Sequence, residues 1–196
     1  MSPAAPAGPE RAGSESAVYV VIEPAAEVDL RAELYQWSGD PEWAYLFADT
    51  LWQACQQQGP LVVRTRLGCP WFSRAWRAME QGQCLGLVLQ SVEDLQTVCQ
   101  WLRRRLMVRL GGQRKGLLRY YDPLVWHRLA PAVQRRPAII EQAWYWCDGP
   151  AGFRWQRSVR PEPIPLLPEP VLSEEQHRAL YVATESWPEN STSVPD

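Results

Sequence analysis

The sequence contains few of the groups that carry acid–base or metal chemistry. Its 196 residues include only two histidines, His127 and His177, and five cysteines. The cysteines form no close pair such as Cys-x-x-Cys, the usual sign of a metal or redox site. His127 follows Asp122 by five positions, about 140° around a helix, so these side chains would not share a face. The sequence therefore predicts no catalytic residues, no metal site and no cofactor, and we expect a protein that is not an enzyme.

Long apolar runs and targeting signals are also missing. No stretch approaches the roughly 18 apolar residues of a membrane span. The first 16 residues lack the basic and apolar regions of a secretory signal peptide. The doublet Gly111–Gly112 has neither a following helix nor the Lys-Ser or Lys-Thr pair of a phosphate loop, so we interpret it as a turn. These absences predict a cytoplasmic protein without a membrane segment.

The remaining composition is that of one globular domain with appendages. Hydrophobic residues make up 46% of the chain, which is enough for a proper core. Residues 1–16 are mostly Pro, Ala, Gly and Ser and predict a flexible leader. The folded domain is expected over residues 17–158. A proline-rich arm with a short helix is predicted over 159–184, and a disordered tail over 185–196.

Apolar, β-branched runs alternate with helical patterns along the domain. Three uninterrupted runs, at residues 20–22, 61–63 and 87–89, are typical of the central strands of a sheet. Two pairs of β-prone runs predict hairpins, one around Gly111–Gly112 and one around residues 148–150. The pattern favours an α/β, or mixed α+β, fold in which helices flank a mixed sheet, with two hairpins and a short C-terminal helix.

Prolines and capping residues mark where helices begin. Pro70 opens a helix that Gly82 ends. Ser91 with Asp94 three positions later is a capping-box pattern, and it precedes an apolar stripe that runs to Leu106. We therefore expect one helix before and one helix after the strand at residues 87–89 in the sequence.

Charge is unevenly distributed along the chain. The net charge is −2, from 20 Lys or Arg and 22 acids. Residues 103–136 hold ten basic residues against Asp122 alone, which gives +9 and leaves −11 for the rest of the chain. This segment could pair with acidic parts of the same chain or with an acidic partner. The candidate partner contacts are five arginines: Arg103, Arg104, Arg105, Arg109 and Arg114.

The basic, aromatic segment 103–136 also leaves a nucleic-acid-binding module as an alternative. In such modules arginines meet phosphates and aromatic rings stack on bases. The negative net charge and the lack of a known nucleic-acid motif make nucleic acid the weaker hypothesis. A solvated helix end would also explain Arg103–Arg105 without any partner.

Tryptophan is unusually frequent. Eleven tryptophans in 196 residues are more than one core of this size can bury completely. Tryptophan and arginine are also the residues that most often anchor protein interfaces. The candidates for a partner-binding patch are Trp71, Trp126, Trp144 and Trp155, although a core position would explain each of them as well.

Residues 119–123 read Arg-Tyr-Tyr-Asp-Pro, at the end of a predicted hairpin that follows a helix rich in leucine and arginine. This order resembles the signature of the type VI secretion effector adaptor family. Tyr19–Glu23 is similar to the opening strand of that family, and Tyr45–Val63 to its Gly-Pro-Leu-Val stretch. Leu87–Leu102 is similar to its strand, serine and helix, so the resemblance covers about residues 17–147.

The resemblance implies a non-enzymatic bacterial chaperone of the cytoplasm. Such an adaptor binds a toxic effector and delivers it to the VgrG-type spike protein of the secretion machine. Its expected partners are therefore the effector and the spike, and not a membrane. Many family members carry a longer helical region after the shared domain than this chain offers.

The motif itself predicts a structural corner. Arg119 and Asp122 are close enough at a strand-to-helix turn to form an ion pair. Asp122 also suits the cap of the next helix and Pro123 its first turn. We therefore interpret Arg119, Tyr120, Tyr121, Asp122 and Pro123 as residues that hold the fold before they contact a partner.

Overall fold

A computed structural model of the chain describes residues 16–23, 30–37, 40–109, 115–129, 132–133, 139–149 and 152–162. Within these ranges the fold is mixed α+β, as the sequence predicted. Several predictions concern residues outside the described ranges: the leader, the Gly111–Gly112 turn, Arg114, most of the proline-rich arm, the C-terminal helix and the tail.

Ten strands and four α-helices are present in the described ranges. The strands are β1 (Ala17–Glu23), β2 (Trp43–Tyr45), β3 (Leu61–Thr65), β4 (Leu85–Ser91), β5 (Met107–Arg109), β6 (Lys115–Leu117), β7 (Ala132–Val133), β8 (Gln142–Cys147), β9 (Arg154–Val159) and β10 (Pro161–Glu162). The helices are α1 (Leu30–Trp37), α2 (Pro70–Glu80), α3 (Leu95–Arg103) and α4 (Pro123–Arg128). A 3₁₀ helix spans Gln53–Gln58.

Six strands form the main sheet, in the order β2-β3-β1-β4-β8-β9. The three runs predicted to be central lie in β1, β3 and β4, which confirms that prediction. Every strand pair of the described residues is antiparallel, however, whereas we predicted a mixed sheet. Helix α2 joins β3 to β4, which run in the same direction, but β1 lies between them and runs the opposite way. A strand–helix–strand pattern in the sequence does not reveal such an inserted strand.

The main sheet buries apolar side chains on both faces. In β1, Tyr19 and Val21 belong to the core on one face, while Val18, Val20 and Ile22 belong to the core on the other. Helices α3 and α4 contribute to the first core, and α1 and α2 to the second. Strand β1 is also paired along both edges, so it lies at the centre of the fold.

Helix α3 begins later than the capping-box pattern suggested. Asp94, rather than Ser91, is its N-cap, and its carboxylate accepts a hydrogen bond from Thr97 N at 2.7 Å. This bond lowers the pKa of Asp94. Ser91 instead ends β4, where its hydroxyl accepts a bond from Glu93 N and donates to Ile139 O. Both residues have capping chemistry, and the length of the strand decides which one is used.

Helix α2 and the two hairpins confirm their predictions. Helix α2 begins at Pro70 and ends at Glu80, shortly before Gly82. Gly82 has a φ of +67°, a left-handed conformation that glycine adopts without strain. Strand β5 pairs with β6, and β8 pairs with β9. The second of these hairpins joins the main sheet, so β9 forms one of its edges and β2 the other.

Candidate partner-binding surfaces

Residues 119–123, here termed the corner, join β6 to α4. The carboxylate of Asp122 caps α4, because its Oδ1 accepts a hydrogen bond from Leu124 N at 2.8 Å. Pro123 occupies the first turn of the helix, where its missing N–H costs no hydrogen bond. The capping and proline roles predicted from the sequence are therefore both present.

The tyrosines of the corner are buried in the core. The Tyr120 hydroxyl donates to the Leu102 carbonyl oxygen at 2.6 Å, which connects the corner to the end of α3. Burial raises the pKa of Tyr120 well above its ordinary value, and it raises the pKa of Tyr121 to about 12. Both phenols are therefore neutral at physiological pH, and the Tyr120 hydroxyl keeps the proton that this bond needs.

Arg119 forms an ion pair with Glu23 at the end of β1, and not with Asp122 as predicted. Its guanidinium also lies 5.9 Å from the centre of the Tyr121 ring. Burial, the largest single effect, lowers the pKa of Arg119, but the charge and the hydrogen bond of Glu23, together with smaller contributions from Tyr121 and Asp122, raise it overall. Because Asp122 directs its carboxylate to the backbone of α4, the arginine pairs with an acid 96 positions away in the chain.

Arg103 fastens α3 to the segment that follows β2. It donates to the carbonyl oxygens of Tyr45 and Leu46 at 3.0 and 3.2 Å, and to Asp49 Oδ2 at 3.2 Å. Only 17% of its side chain is exposed. Arg103 therefore donates its hydrogen bonds to the chain itself. Pairing within the chain was one of the two possibilities for the basic segment, and an acidic partner was the other.

Arg105 is a buried arginine, so the prediction that it contacts a partner is wrong for the folded chain. None of its surface is exposed. Its guanidinium lies 3.7 Å from the centre of the Trp101 ring, and Nη1 donates to Trp101 O at 2.7 Å. Helix α3 ends at Arg103, and the chain then turns toward β5, which directs this side chain inward. The aromatic face and the carbonyl replace part of the hydration that the cation loses.

An open groove of about 640 Å³ lies beside α3. Leu95, Gln96 and Gln100 line it from the helix, and Arg104 from the position just after it. Ala44 of β2 and Asp49 line the other side. Arg104 is exposed, while Arg109 is half-buried in β5 and lies outside this groove. The lining mixes apolar surface with groups of both charges, so it suits a segment that carries polar as well as apolar side chains.

The four tryptophans predicted to form a surface patch are core residues. Trp71, Trp126, Trp144 and Trp155 expose 1%, 0%, 2% and 5% of their surface. The Trp71 indole even satisfies its N–H internally, by donating to Leu30 O at 2.9 Å. The surface-patch prediction is therefore wrong for these residues. Its premise was a single core, whereas a sheet covered on both faces has two and accommodates more tryptophans.

A second group of tryptophans, which shares Trp155 with the first, lies partly at the surface, where α2 meets the β8–β9 hairpin. We term Trp76, Trp146 and Trp155 the indole cluster. Trp76 stacks on Trp155 with 3.5 Å between ring centres, and Trp146 lies 5.7 Å from Trp155. The Glu80 carboxylate accepts hydrogen bonds from the Trp76 and Trp155 indoles at 3.0 and 2.8 Å. Trp155 is buried, but Trp76 and Trp146 are only half-buried.

The sequence reasoning missed Trp76 and Trp146 as surface candidates. Trp146 follows the buried Trp144 by two positions, so both lie on the same face of β8. Alternation along a strand identifies that face, but it does not tell where the covering helix ends. The spacing of Trp76 and Glu80, one helical turn apart, was the only local sign of their hydrogen bond.

Three of the five cysteines, Cys84, Cys99 and Cys147, are buried, while Cys55 and Cys69 are half-buried. Burial raises the pKa of the Cys84 and Cys99 thiols to about 11, which makes them weak nucleophiles at neutral pH. His127 Nδ1 lies 3.3 Å from the Tyr145 hydroxyl. Within the described ranges, no group of three or more His, Cys, Asp or Glu side chains could hold a metal ion. No helix in those ranges is long and apolar enough to cross a membrane.

The model of a protein family described as a domain of unknown function, DUF4123, matches residues 18–137. The matched range begins in β1 and includes the groove, the corner and α4, but it ends before β8 and β9. No curated protein and no solved structure matches the chain.

Proposed function

Because the chain belongs to the DUF4123 family, we propose that it is a non-enzymatic adaptor of a type VI secretion system. In this role it binds a secreted effector protein in the bacterial cytoplasm and loads it onto the VgrG-type spike protein. The observation that carries the proposal is the family match over residues 18–137, which includes the corner motif. That motif also carries the resemblance to the effector adaptors of these systems.

The arrangement of the sheet supports a protein with two partners. The groove beside α3 lies next to β2, and the indole cluster lies next to β9. Strands β2 and β9 are the opposite edges of the six-stranded sheet. An adaptor that holds the effector and the spike at the same time needs two surfaces that do not overlap, and these edges provide them.

The environments of the candidate residues favour binding over chemistry. The thiols of Cys84 and Cys99 are buried, and they are protonated at neutral pH. The nucleic-acid alternative gains no support, because three of the arginines that suggested it form contacts within the chain. Arg103 binds backbone carbonyls, Arg105 is buried on Trp101, and Arg119 pairs with Glu23.

Co-purification tests the proposal. The full-length chain, with a tag, is co-expressed with the products of its neighbouring genes and recovered under native conditions. We expect both a toxin-like protein and a spike protein to be recovered with it. Recovery of neither protein would contradict the adaptor function. Binding to an oligonucleotide at low salt, with the strong salt dependence of phosphate contacts, would instead favour the alternative.

A further inference from the structure

The edge strand β9 has an open side. Of the described strands, only β8 pairs with it. Arg160 N donates to Glu141 O at 2.7 Å, and this bond fixes the alternation of the antiparallel ladder. Residues 154, 156 and 158 therefore bond to β8, and Trp155, Arg157 and Val159 direct their N–H and C=O groups away from it. The opposite edge of the sheet gives an independent check. There Arg64 N donates to Glu42 O, and following the strand registers from this bond to β9 assigns the same residues of β9 to the outward set.

The side chains along this edge are cationic and apolar. Residues 154–160 contain three arginines and no acid. Arg157 and Arg160 are exposed, and Val159 exposes 47% of its surface. Glu80, an acid near this edge, already accepts hydrogen bonds from two indoles of the indole cluster. Among the described residues, the edge thus offers positive charge next to an apolar position, together with backbone groups that pair with no other strand.

A second copy of the chain fits this edge poorly in the register centred on Arg157. In an antiparallel pair of two β9 strands centred on Arg157, that residue would face its own copy, and Arg154 would face Arg160. Like charges directly opposite each other destabilise such a pair. Charged edge strands are also a common protection against self-association. The charge of β9 therefore selects for a strand of opposite sign.

We infer that β9 is the docking edge for an extended, acidic segment of the effector, which adds to the sheet as a further strand. The backbone of the segment pairs with the outward groups of Trp155, Arg157 and Val159, and a carboxylate lies opposite Arg157. An apolar side chain of the segment packs against Val159. The pairing follows from the sheet geometry, and its assignment to the effector rests on the proposed function. Strand addition of this kind obtains affinity from the backbone and specificity from alternate side chains.

Amide hydrogen exchange of the full-length chain tests the pairing directly. The probe is a synthetic peptide with the sequence Thr-Val-Thr-Glu-Thr-Val-Thr. The control peptide has lysine in place of the glutamate. In the free chain we expect slow exchange at Gln156 and Ser158, which bond to β8, and fast exchange at Trp155, Arg157 and Val159. The glutamate peptide should slow the second set. Protection of that set in the free chain, or no protection with the glutamate peptide, would overturn the inference.

Two variants separate backbone pairing from charge. Val159→Pro removes an outward N–H without breaking the ladder to β8, and Val159→Thr is the matched control that keeps it. We expect Val159→Pro to weaken binding of the glutamate peptide roughly tenfold or more, with little change for Val159→Thr. Arg157→Glu should reverse the preference, so that the lysine peptide binds better than the glutamate peptide. Equal binding by Arg157→Glu and the original chain would also overturn the inference.

The same variants distinguish this inference from the proposed function. If the original chain recovers the effector while Val159→Pro and Arg157→Glu do not, both stand. If the variants recover it equally well, the adaptor function stands and the docking edge is wrong. If the original chain recovers neither effector nor spike, the adaptor function fails, and the exchange experiment with the peptide still decides whether β9 accepts an acidic strand.

Discussion

The Tyr120 hydroxyl and the Leu102 carbonyl oxygen lie 2.6 Å apart, although 18 positions separate them in the chain. Between them, Leu118 N donates to Leu106 O at 2.6 Å and closes the base of the β5–β6 hairpin. The two bonds hold the end of α3, the hairpin and the corner together. Because the corner also caps α4, these two bonds fix where α4 starts. They thereby hold Trp126 of α4 in the core.

Tyr120→Phe removes one of these bonds while it keeps the buried ring. We expect a loss of about 0.5–1.5 kcal/mol in the free energy of unfolding, the usual net value of one internal hydrogen bond. The loss should stay in this range because the Leu102 carbonyl still accepts a bond from Arg105 N. Urea denaturation measures it, with Tyr35→Phe as the control, since Tyr35 is 56% exposed and the hydrogen bond that its hydroxyl accepts from the Trp43 indole lies at the surface. Equal losses for the two variants would show that the bond to Leu102 does not stabilise the fold.

Asp122→Ala should lower stability by about 0.5–2 kcal/mol, because α4 loses its cap. Asp122→Asn should be nearly neutral, since asparagine caps helices as well as aspartate does. Thermal unfolding of the two variants checks this difference. An alanine variant with an unchanged melting temperature that no longer binds the effector would mean that the corner contacts the partner directly.

Gly86→Ala should be destabilising although the position lies inside a regular strand. A Cβ atom built at Gly86 would lie 2.2 Å from the carbonyl oxygen of Val21, in the paired strand β1. Backbone between two central strands cannot move aside cheaply, so we expect a loss of about 1–3 kcal/mol, the usual cost of overpacking. Gly149→Ala is the control, because the nearest atom there is the end of the flexible Gln156 side chain at 3.2 Å. Similar urea midpoints for both variants would refute the steric explanation.

Stability should fall in alkaline solution. Burial raises the pKa of Cys84 and Cys99 from 9.0 to about 11. Between these values the unfolded chain has released protons that the folded chain still holds, so the free energy of unfolding decreases as the pH rises. We therefore expect a constant urea midpoint up to about pH 9 and a decline toward pH 11. Replacing both cysteines with alanine should flatten the first part of this decline. A constant midpoint across the range in the original chain would contradict the assigned pKa shifts.

Local signals predicted much of the fold. Pro70 and Asp122 marked helix starts that the structure confirms, because first-turn prolines and caps act within one turn of the chain. The runs in β1, β3 and β4 were recognisable because strands buried on both faces are continuously apolar. The Ser91–Asp94 pattern predicted helix α3 correctly but its N-cap wrongly, because both Ser91 and Asp94 can cap a helix and they lie close together in the sequence.

The candidate site was harder to predict because it depends on contacts between distant parts of the chain. Arg103–Arg105 looked like one charged surface, yet the turn after α3 gives each of these arginines a different environment. Arg119 meets Glu23 only because the corner comes to lie beside the end of β1. Which tryptophans reach the surface depends on where α2 stops covering the sheet, and no periodicity encodes that limit.

The proposed function is tested most directly by recovering the spike protein from cells that do or do not produce this chain. The spike carries the tag, and the amount of effector recovered with it is measured in both strains and in a strain that carries the gene again. If the chain loads the effector, we expect the effector to accompany the spike only in the strains that make the chain. Equal recovery of the effector with and without the chain would contradict the adaptor function.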